Sequence, residues 1–220
     1  MNYSFQFRDV FAASDALLDG LALTLRLTAT TIVLGFVIGV AVAAISVYAP
    51  SWARKAARAY VEVIRNTPLL VQLFLIFFGL PSAGVKLDVI TVSTITLAIN
   101  LGAYTAEIVR AGLESIPRSQ VEAGISLGLT GRQVFRHIVL IPALKNVYPS
   151  LTSQFVLIML ATSVVSQIAT PELFYAGSII QSRTFRDFEV YTVIAVLYLA
   201  LSFLLRGGFA VCHRVLFRRP

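Results

Sequence analysis

The sequence predicts an all-α protein, a polytopic transmembrane helical bundle of about five spans. Hydrophobic residues make up 57% of the chain and charged residues only 13%, a balance typical of membrane-embedded proteins. The apolar residues fall into separate runs of roughly 20 residues, the length an α-helix needs to cross the hydrocarbon layer. A chain of 220 residues has room for these spans and short connections, and none for an additional soluble domain.

The predicted spans differ in polarity and in how they end. Span one carries one charge, Arg26, near its start and stops before Pro50, because proline does not continue a helix. No small-residue cleavage site follows it, so we expect it to be retained rather than removed as a signal. Span two is short and ends at Pro81, whereas span three contains Asn100 and Glu107. One domain over 21–212 therefore follows an N-terminal segment 1–20 and precedes a tail 213–220, with spans at 21–47, 66–81, 89–111, 147–168 and 190–211.

Lysine and arginine are distributed unevenly between the two sides of this topology. They concentrate after span one, after span three and in the tail, whereas the other side is richer in aspartate and glutamate. Positively charged loops tend to stay in the cytoplasm, so we expect a periplasmic N-terminus and a cytoplasmic C-terminus. The net charge of +7 follows from this asymmetry, and no nucleic-acid partner is needed to explain it. The cytoplasmic basic residues are Arg54, Lys55, Arg58, Arg65, Arg110, Arg118, Arg132, Arg136, Lys145, Arg214, Arg218 and Arg219.

The sequence argues against a metal centre and against catalysis by the chain itself. Its single cysteine, Cys212, and its two histidines, His137 and His213, are too few and too scattered for the usual ligand sets. The sequence has no G-x-x-x-x-G-K-[ST] phosphate loop, so any ATP hydrolysis must belong to another polypeptide.

The longest connection, residues 114–146, lies on the predicted cytoplasmic side. Pro117 should end span three, since proline lacks a backbone donor and restricts the residue before it. Ser119 and Glu122 have the spacing of a capping box, which predicts that Ser119 caps a short helix. One apolar stripe on that helix is expected from Val121, Ile125 and Leu129.

A turn and a second helical piece are predicted after this short helix. Gly128 and Gly131 suit a tight turn, because glycine adopts positive φ without steric cost. The second piece should run through Val134 and end at Pro142.

The same connection resembles the signature loop of bacterial ABC importer permeases. That pattern reads Glu-Ala-Ala, three residues, Gly, nine residues, Ile-x-Leu-Pro, and the chain has Glu122-Ala123-Gly124, then Gly128, then Ile138-Val139-Leu140. It departs at Gly124 and at Pro142, which comes one position late. The resemblance implies that this helix docks in a groove of an ATPase subunit, with coupling residues Ser119, Gln120, Glu122, Ala123, Gly124, Leu127, Gly128 and Leu129.

Other motifs resemble the polar amino-acid and opine permeases, which include the histidine, glutamine and arginine importers. The segments 60–73 and 103–112 are similar to their second- and third-span motifs, and Thr162-Ser163 and Pro171-Glu172-Leu173 match their fourth span and the loop beyond it. The resemblance implies a type I ABC importer fold in the bacterial inner membrane. It also implies two ATPase subunits that bind ATP and Mg, a second permease subunit in a homo- or heterodimer, and a periplasmic substrate-binding protein.

Polar residues within the spans are candidates for a substrate pathway. Pro68 allows two interpretations: a helix break whose freed Ile64 carbonyl meets solutes, or the first turn of a new helix capped by Thr67. We expect Glu107 to form an ion pair with Arg110 or Arg65 rather than to touch substrate. The expected pathway residues are Thr67, Pro68, Gln72, Asn100, Tyr104, Gln154, Thr162, Ser163 and Gln167.

The residues before Thr162 bear on the substrate. Many relatives have a charged or strongly polar pair at this point, whereas this chain has Leu160 and Ala161. The substrate is then either a zwitterion with a less charged side chain, or it is bound by a sister permease. Two other functional classes, a passive channel or secondary carrier and a membrane scaffold subunit, remain as alternatives to the importer.

Overall fold

A computed structural model of the chain describes residues 5–217, in which every regular element is helical. The expected tail residues Arg218 and Arg219 lie outside this range. The α-helices are α1 (Arg8–Ala12), α2 (Ser14–Tyr48), α3 (Ser51–Arg65), α4 (Leu69–Ser82), α5 (Val89–Glu114), α6 (Arg118–Ser126), α7 (Gly131–Gln133), α8 (Ile141–Ala161), α9 (Leu173–Thr184) and α10 (Asp187–Phe217). A π-helix (Val134–Leu140) joins α7 to α8, and a 3-10 helix (Thr162–Ile168) continues α8.

Within the described residues, four helical runs are long and apolar enough to cross a membrane: α2, α5, the continuous run Gly131–Ile168, and α10. The pair formed by α3 and α4 is bent by 106° and makes a fifth span if it is counted as one. The bundle therefore has the predicted class, with about five spans. Its helices reach beyond several predicted limits, and the run that contains the fourth span starts at Gly131 rather than at residue 147.

Helix α3 occupies the basic stretch after span one, which the sequence predicted to be a connection. Its apolar residues Ala57 and Val61 are buried, while Trp52 and the basic side chains are exposed. The hydroxyl of Tyr60 donates a hydrogen bond of 2.6 Å to the carbonyl of Ile99 in α5. The stretch is thus an amphipathic helix whose narrow apolar face packs on the bundle.

Small residues allow α2 and α5 to approach closely along their length. A Cβ placed on Gly39 would lie 2.4 Å from Cβ of Thr105, and one placed on Gly35 would lie 2.8 Å from Leu101. Glycine at such contacts is a common way to bring transmembrane helices together, because no side chain holds the backbones apart.

We expect Gly39→Ala to lower the stability of the protein by about 1–3 kcal/mol, because its methyl group meets the stiff, branched side chain of Thr105 and forces α2 away from α5. Thermal unfolding of the purified protein in detergent measures the effect. Gly79→Ala is the matched control, since a Cβ at Gly79 meets nothing within 4 Å. Equal unfolding temperatures for the two variants would contradict the close packing.

Buried and exposed carboxylates cap two helices at the end of the bundle that holds the loop between α4 and α5. Asp88 accepts hydrogen bonds from the amides of Ile90 and Thr91, and the Thr91 hydroxyl holds the pKa of Asp88 below its usual value. Glu172 is fully buried and accepts bonds from two amides at the start of α9 and from the Tyr198 hydroxyl of α10 at 2.6 Å. Glu172 of the Pro171-Glu172-Leu173 motif thus has a structural role: it anchors the start of α9 to α10.

Candidate functional site

A sharp elbow separates α3 from α4. Pro68 is the N-cap of α4 with extended backbone, and its carbonyl accepts the amides of Val71 and Gln72. Thr67 does not cap the helix, because its hydroxyl donates back to the Val63 carbonyl at 2.8 Å. The structure thus combines parts of both interpretations: the helix breaks at Pro68, and a new helix begins after it.

One side chain, Gln72, satisfies the backbone that the elbow exposes. Its amide nitrogen donates to the carbonyl of Ile64 at 2.8 Å and to the carbonyl of Thr67 at 3.0 Å. Its amide oxygen accepts from Asn100 of α5 at 3.1 Å. The carbonyl that Pro68 frees is therefore already bonded within the protein, so the elbow is a fixed shape rather than an open coordination site.

A cavity of about 500 Å³ lies where the elbow meets α5 and α8. This volume is within the range of small-molecule sites. Of the nine predicted pathway residues, five line it: Thr67, Pro68, Asn100, Tyr104 and Gln154. The remaining wall is formed by Arg65, Asn66, Leu69, Leu157, Ile158 and Ala161.

The other four predicted pathway residues lie elsewhere. Gln72 is buried behind Asn100, to which it is hydrogen-bonded. The 3-10 helix carries Thr162, Ser163 and Gln167, and the first two donate their hydroxyl hydrogens to carbonyls of the preceding turn. None of the three lines this cavity, and their part in a pathway stays a prediction.

Among residues 5–217, Arg65 is the one charged residue in the wall of this cavity. Ala161 lies in the wall and contributes an apolar surface to it. The sequence predicted Arg65 to be a cytoplasmic basic residue and a possible ion-pair partner of Glu107, and not a residue of the pathway. Its position immediately before the Asn66-Thr67-Pro68 turn was the available clue that it faces the same space.

A second cavity, of about 570 Å³, adjoins the first and shares Arg65, Asn66 and Tyr104 with it. Glu107 lies in its wall and is bonded through both carboxylate oxygens to Arg110, which also binds Glu114 at 2.6 Å. This confirms the expectation that Glu107 is held in an ion pair.

The predicted coupling residues lie on an exposed helical hairpin formed by α6, the turn after it, and α7. The predicted capping box is wrong: α6 begins at Arg118 after Pro117, so Ser119 is inside the helix and forms no cap. The capping box of this region instead joins Thr130 and Gln133 at the start of α7. The helix begins earlier than predicted because Pro117, with its extended backbone, itself occupies the N-cap position.

The buried side of α6 also differs from the predicted stripe. Gly124 is buried and Val121 is half-buried, whereas Ile125 is exposed. Leu127 is 82% exposed, and Gly128 makes the predicted turn with φ of +80°. The exposed positions Glu122, Ile125 and Leu127 leave a mixed apolar and acidic surface at the tip of the hairpin.

Both departures from the signature pattern have a structural counterpart. A Cβ on Gly124 would lie 2.3 Å from Cδ1 of Ile138, so alanine at this position would require Ile138 to move. Pro142 does not end a helix as predicted, because it lies in the first turn of α8 directly after the π-helix. A π-helical turn holds one more residue than an α-helical turn, which accommodates a proline that comes one position late.

A bundle of spans with a polar cavity within it and an exposed helical hairpin at one end is the architecture of a membrane permease. Residues 32–214 match the family described as binding-protein-dependent transport system inner membrane component, and the chain belongs to this family.

Named relatives and a solved structure agree with this family. The chain is 39% identical over 194 residues to the probable glutamine ABC transporter permease protein GlnM of Bacillus subtilis (strain 168), covering 87% of this chain and 88% of the relative. It is 34% identical over 208 residues to the glutamine transport system permease protein GlnP of Escherichia coli (strain K12), covering 92% and 95%. A crystal structure of an amino acid ABC transporter with histidines contains a similar chain at a TM-score of 0.89 and 34% identity, with 96% of this chain and 99% of that chain covered.

Proposed function

We propose that this chain is the permease subunit of an ATP-driven importer for a polar amino acid or a related small zwitterion such as an opine. The observation that carries the proposal is the cavity of about 500 Å³, whose wall combines neutral hydrogen-bonding groups with one positive charge. A zwitterion needs hydrogen-bond partners and a countercharge inside the bundle, because an unpaired charge there is unfavourable. The family, and the glutamine transport named for two relatives, support the same substrate class.

The complete importer, in this proposal, contains two ATPase subunits, a second permease subunit in a homo- or heterodimer, and a periplasmic substrate-binding protein. ATP and Mg bind to the ATPase subunits rather than to this chain, and no nucleic acid takes part. The chain lies in the bacterial inner membrane as a multi-pass protein with a periplasmic N-terminus and a cytoplasmic C-terminus. The lysine and arginine distribution supports this orientation, because α3, α6, α7 and the end of α10 then face the cytoplasm.

The α6 hairpin is proposed as the contact with the ATPase. Closure of the ATPase subunits on ATP would push on α6 around Glu122 and rock the spans from inward-open to outward-open. The binding protein would then release the substrate into the exposed cavity. The surface exposure of Glu122, Ile125 and Leu127 supports a partner at this position.

Reconstitution tests the proposed function. The chain is produced together with its cognate ATPase and binding protein, and uptake of radiolabelled L-glutamine, L-histidine, L-arginine, L-cystine and octopine is measured in proteoliposomes loaded with ATP. We expect one of these compounds to be accumulated and to stimulate ATP hydrolysis. Accumulation without ATP would indicate a secondary carrier or channel, and the absence of any copurifying subunit with a phosphate loop would indicate a scaffold; either result refutes the proposal.

A further inference from the structure

Arg65 lies where the two cavities meet, and it is the charged group that a substrate in the first cavity would encounter. We propose that Arg65 binds the carboxylate of the transported amino acid and so selects a zwitterion with a neutral side chain. This inference rests on the proposed function, since it assigns a role within the cavity of an amino-acid permease. No charged residue other than Arg65 is among the residues that line this cavity in the described part of the chain.

The guanidinium of Arg65 is presented to the cavity rather than buried in a protein contact. Its central carbon lies 5.4 Å from the centre of the Tyr104 ring, a cation–π arrangement that orients the group over the ring face. The side chain is 40% exposed, so it is accessible to a ligand. A planar guanidinium held in this way can present two parallel N–H donors to a carboxylate, which a lysine cannot do.

An alternative role for Arg65 is to neutralise Glu107, but Arg65 lies farther from the Glu107 carboxylate than Arg110 does. The closest approach of Arg65 to the Glu107 carboxylate is 4.0 Å, beyond hydrogen-bond distance. Arg110 approaches the same carboxylate to 2.5 Å and bonds both of its oxygens. Arg65 therefore contributes long-range charge to the pair of Glu107 and Glu114 that share Arg110, but its N–H donors are not bonded to the Glu107 carboxylate and can bind a ligand.

The remaining groups of the wall fit the rest of a neutral amino acid. Asn100 and Gln154 line the same space, and their amide oxygens can accept hydrogen bonds from an ammonium group, whereas the Thr67 hydroxyl is already bonded to Val63 and Gln72. In the described part of the chain no carboxylate lines this cavity to pair with a cationic side chain, and Ala161 adds an apolar surface. The composition of the wall therefore favours a substrate such as glutamine over one with a charged side chain.

Direct binding to the permease–ATPase complex, without the binding protein, tests the role of Arg65. The probe is radiolabelled L-glutamine, and the competitor is L-glutaminol, in which a hydroxymethyl group replaces the carboxylate. We expect Arg65→Gln to weaken L-glutamine binding by about 10- to 100-fold, the usual effect of losing charge-assisted hydrogen bonds. Arg65→Lys should give an intermediate loss, whereas L-glutaminol should bind weakly and equally to wild type and to Arg65→Gln.

Two control variants separate this role from a structural one. Arg58→Gln removes a positive charge that lines only the second cavity, and Glu107→Gln removes the carboxylate near Arg65. Both should keep L-glutamine affinity within about threefold of wild type, since neither removes a proposed ligand contact. If Arg65→Gln is too unstable to purify, Arg65→Lys is compared with wild type for binding of both compounds. A loss of L-glutamine affinity without a loss of L-glutaminol affinity then supports the role of Arg65.

Several results would overturn the inference. These are unchanged L-glutamine binding by Arg65→Gln and Arg65→Lys, an equal loss of L-glutaminol binding, an equal loss in Glu107→Gln, or a wild-type complex that does not bind L-glutamine. The proposed function is judged separately by uptake across the compound panel. Wild-type uptake of another compound therefore refutes the Arg65 assignment while leaving the importer intact, and ATP-independent or absent uptake refutes the importer.

Discussion

Leu127→Asp is expected to reduce ATP-driven uptake to less than a tenth of the wild-type rate and to weaken copurification of the ATPase. Leu127 is 82% exposed at the tip of the α6 hairpin, next to the turn at Gly128. A side chain at the centre of a protein interface contributes about 2 kcal/mol or more where it is a binding hot spot, and a charge in place of Leu127 adds an unpaired carboxylate to the contact. The loss should arise at the interface, because Leu127 has few contacts within the chain.

The measurement combines uptake in proteoliposomes, pull-down of the ATPase and thermal unfolding of the permease. Leu87→Asp is the matched control, because Leu87 is also exposed but lies in the connection between α4 and α5, away from the α6 hairpin. It should leave uptake and copurification near wild type. If Leu127→Asp and Glu122→Ala both assemble with the ATPase and keep hydrolysis coupled to uptake, the hairpin is not the docking surface.

Gln72→Leu should have the second large effect, lowering thermal stability and reducing uptake at least tenfold. The substitution leaves the carbonyls of Ile64 and Thr67 without the bonds of 2.8 and 3.0 Å that Gln72 supplies, and it removes the acceptor for Asn100. The two carbonyls are only partly buried, so each lost bond costs about 1 kcal/mol, whereas the buried Asn100 amide left without its acceptor costs about 1–3 kcal/mol. The elbow would then lose its fixed angle, and the cavity wall that depends on it would change shape.

Thermal unfolding and uptake are measured together for this variant. Gln154→Leu serves as the stability control, because Gln154 lines the same cavity and its side chain forms no hydrogen bond within the described residues. Gln154→Leu should unfold near the wild-type temperature. Comparable unfolding temperatures for Gln72→Leu and Gln154→Leu would show that the Gln72 bonds do not hold the elbow.

The sequence predicted the class of fold well, because hydrophobicity over about 20 residues is a strong and local signal. The sequence did not predict α3. This amphipathic helix has a narrow apolar face, so its average hydropathy is as low as that of a polar, basic connection. The sequence prediction also misplaced the cap of α6, which is Pro117, two residues before the predicted cap Ser119. Helix boundaries depend on single backbone conformations, which composition does not encode.

The cavity could be predicted only in part. Thr67, Asn100 and Gln154 were identified because polar residues within a span need a partner or water, and the structure brings them into one wall. Arg65 was not identified as a cavity residue, because a basic residue at this position is also typical of a cytoplasmic loop. Its side chain reaches the cavity only because the chain bends at the elbow. Which polar residues share a wall depends on a 106° bend between two helices, a long-range feature that sequence spacing does not reveal.

The unbroken helical run Gly131–Ile168 has a mechanical consequence. It begins at the α6 hairpin, passes through the π-helix and α8, and carries Gln154 and Ile158 along the cavity wall. At about 1.5 Å per residue, Gln154 lies roughly 35 Å from the start of this run, so a rotation of about 5° at the hairpin displaces it by about 3 Å. A small rotation at the α6 hairpin can therefore displace Gln154 in the cavity wall by about the length of a hydrogen bond. No flexible loop lies within this helical run to absorb the movement.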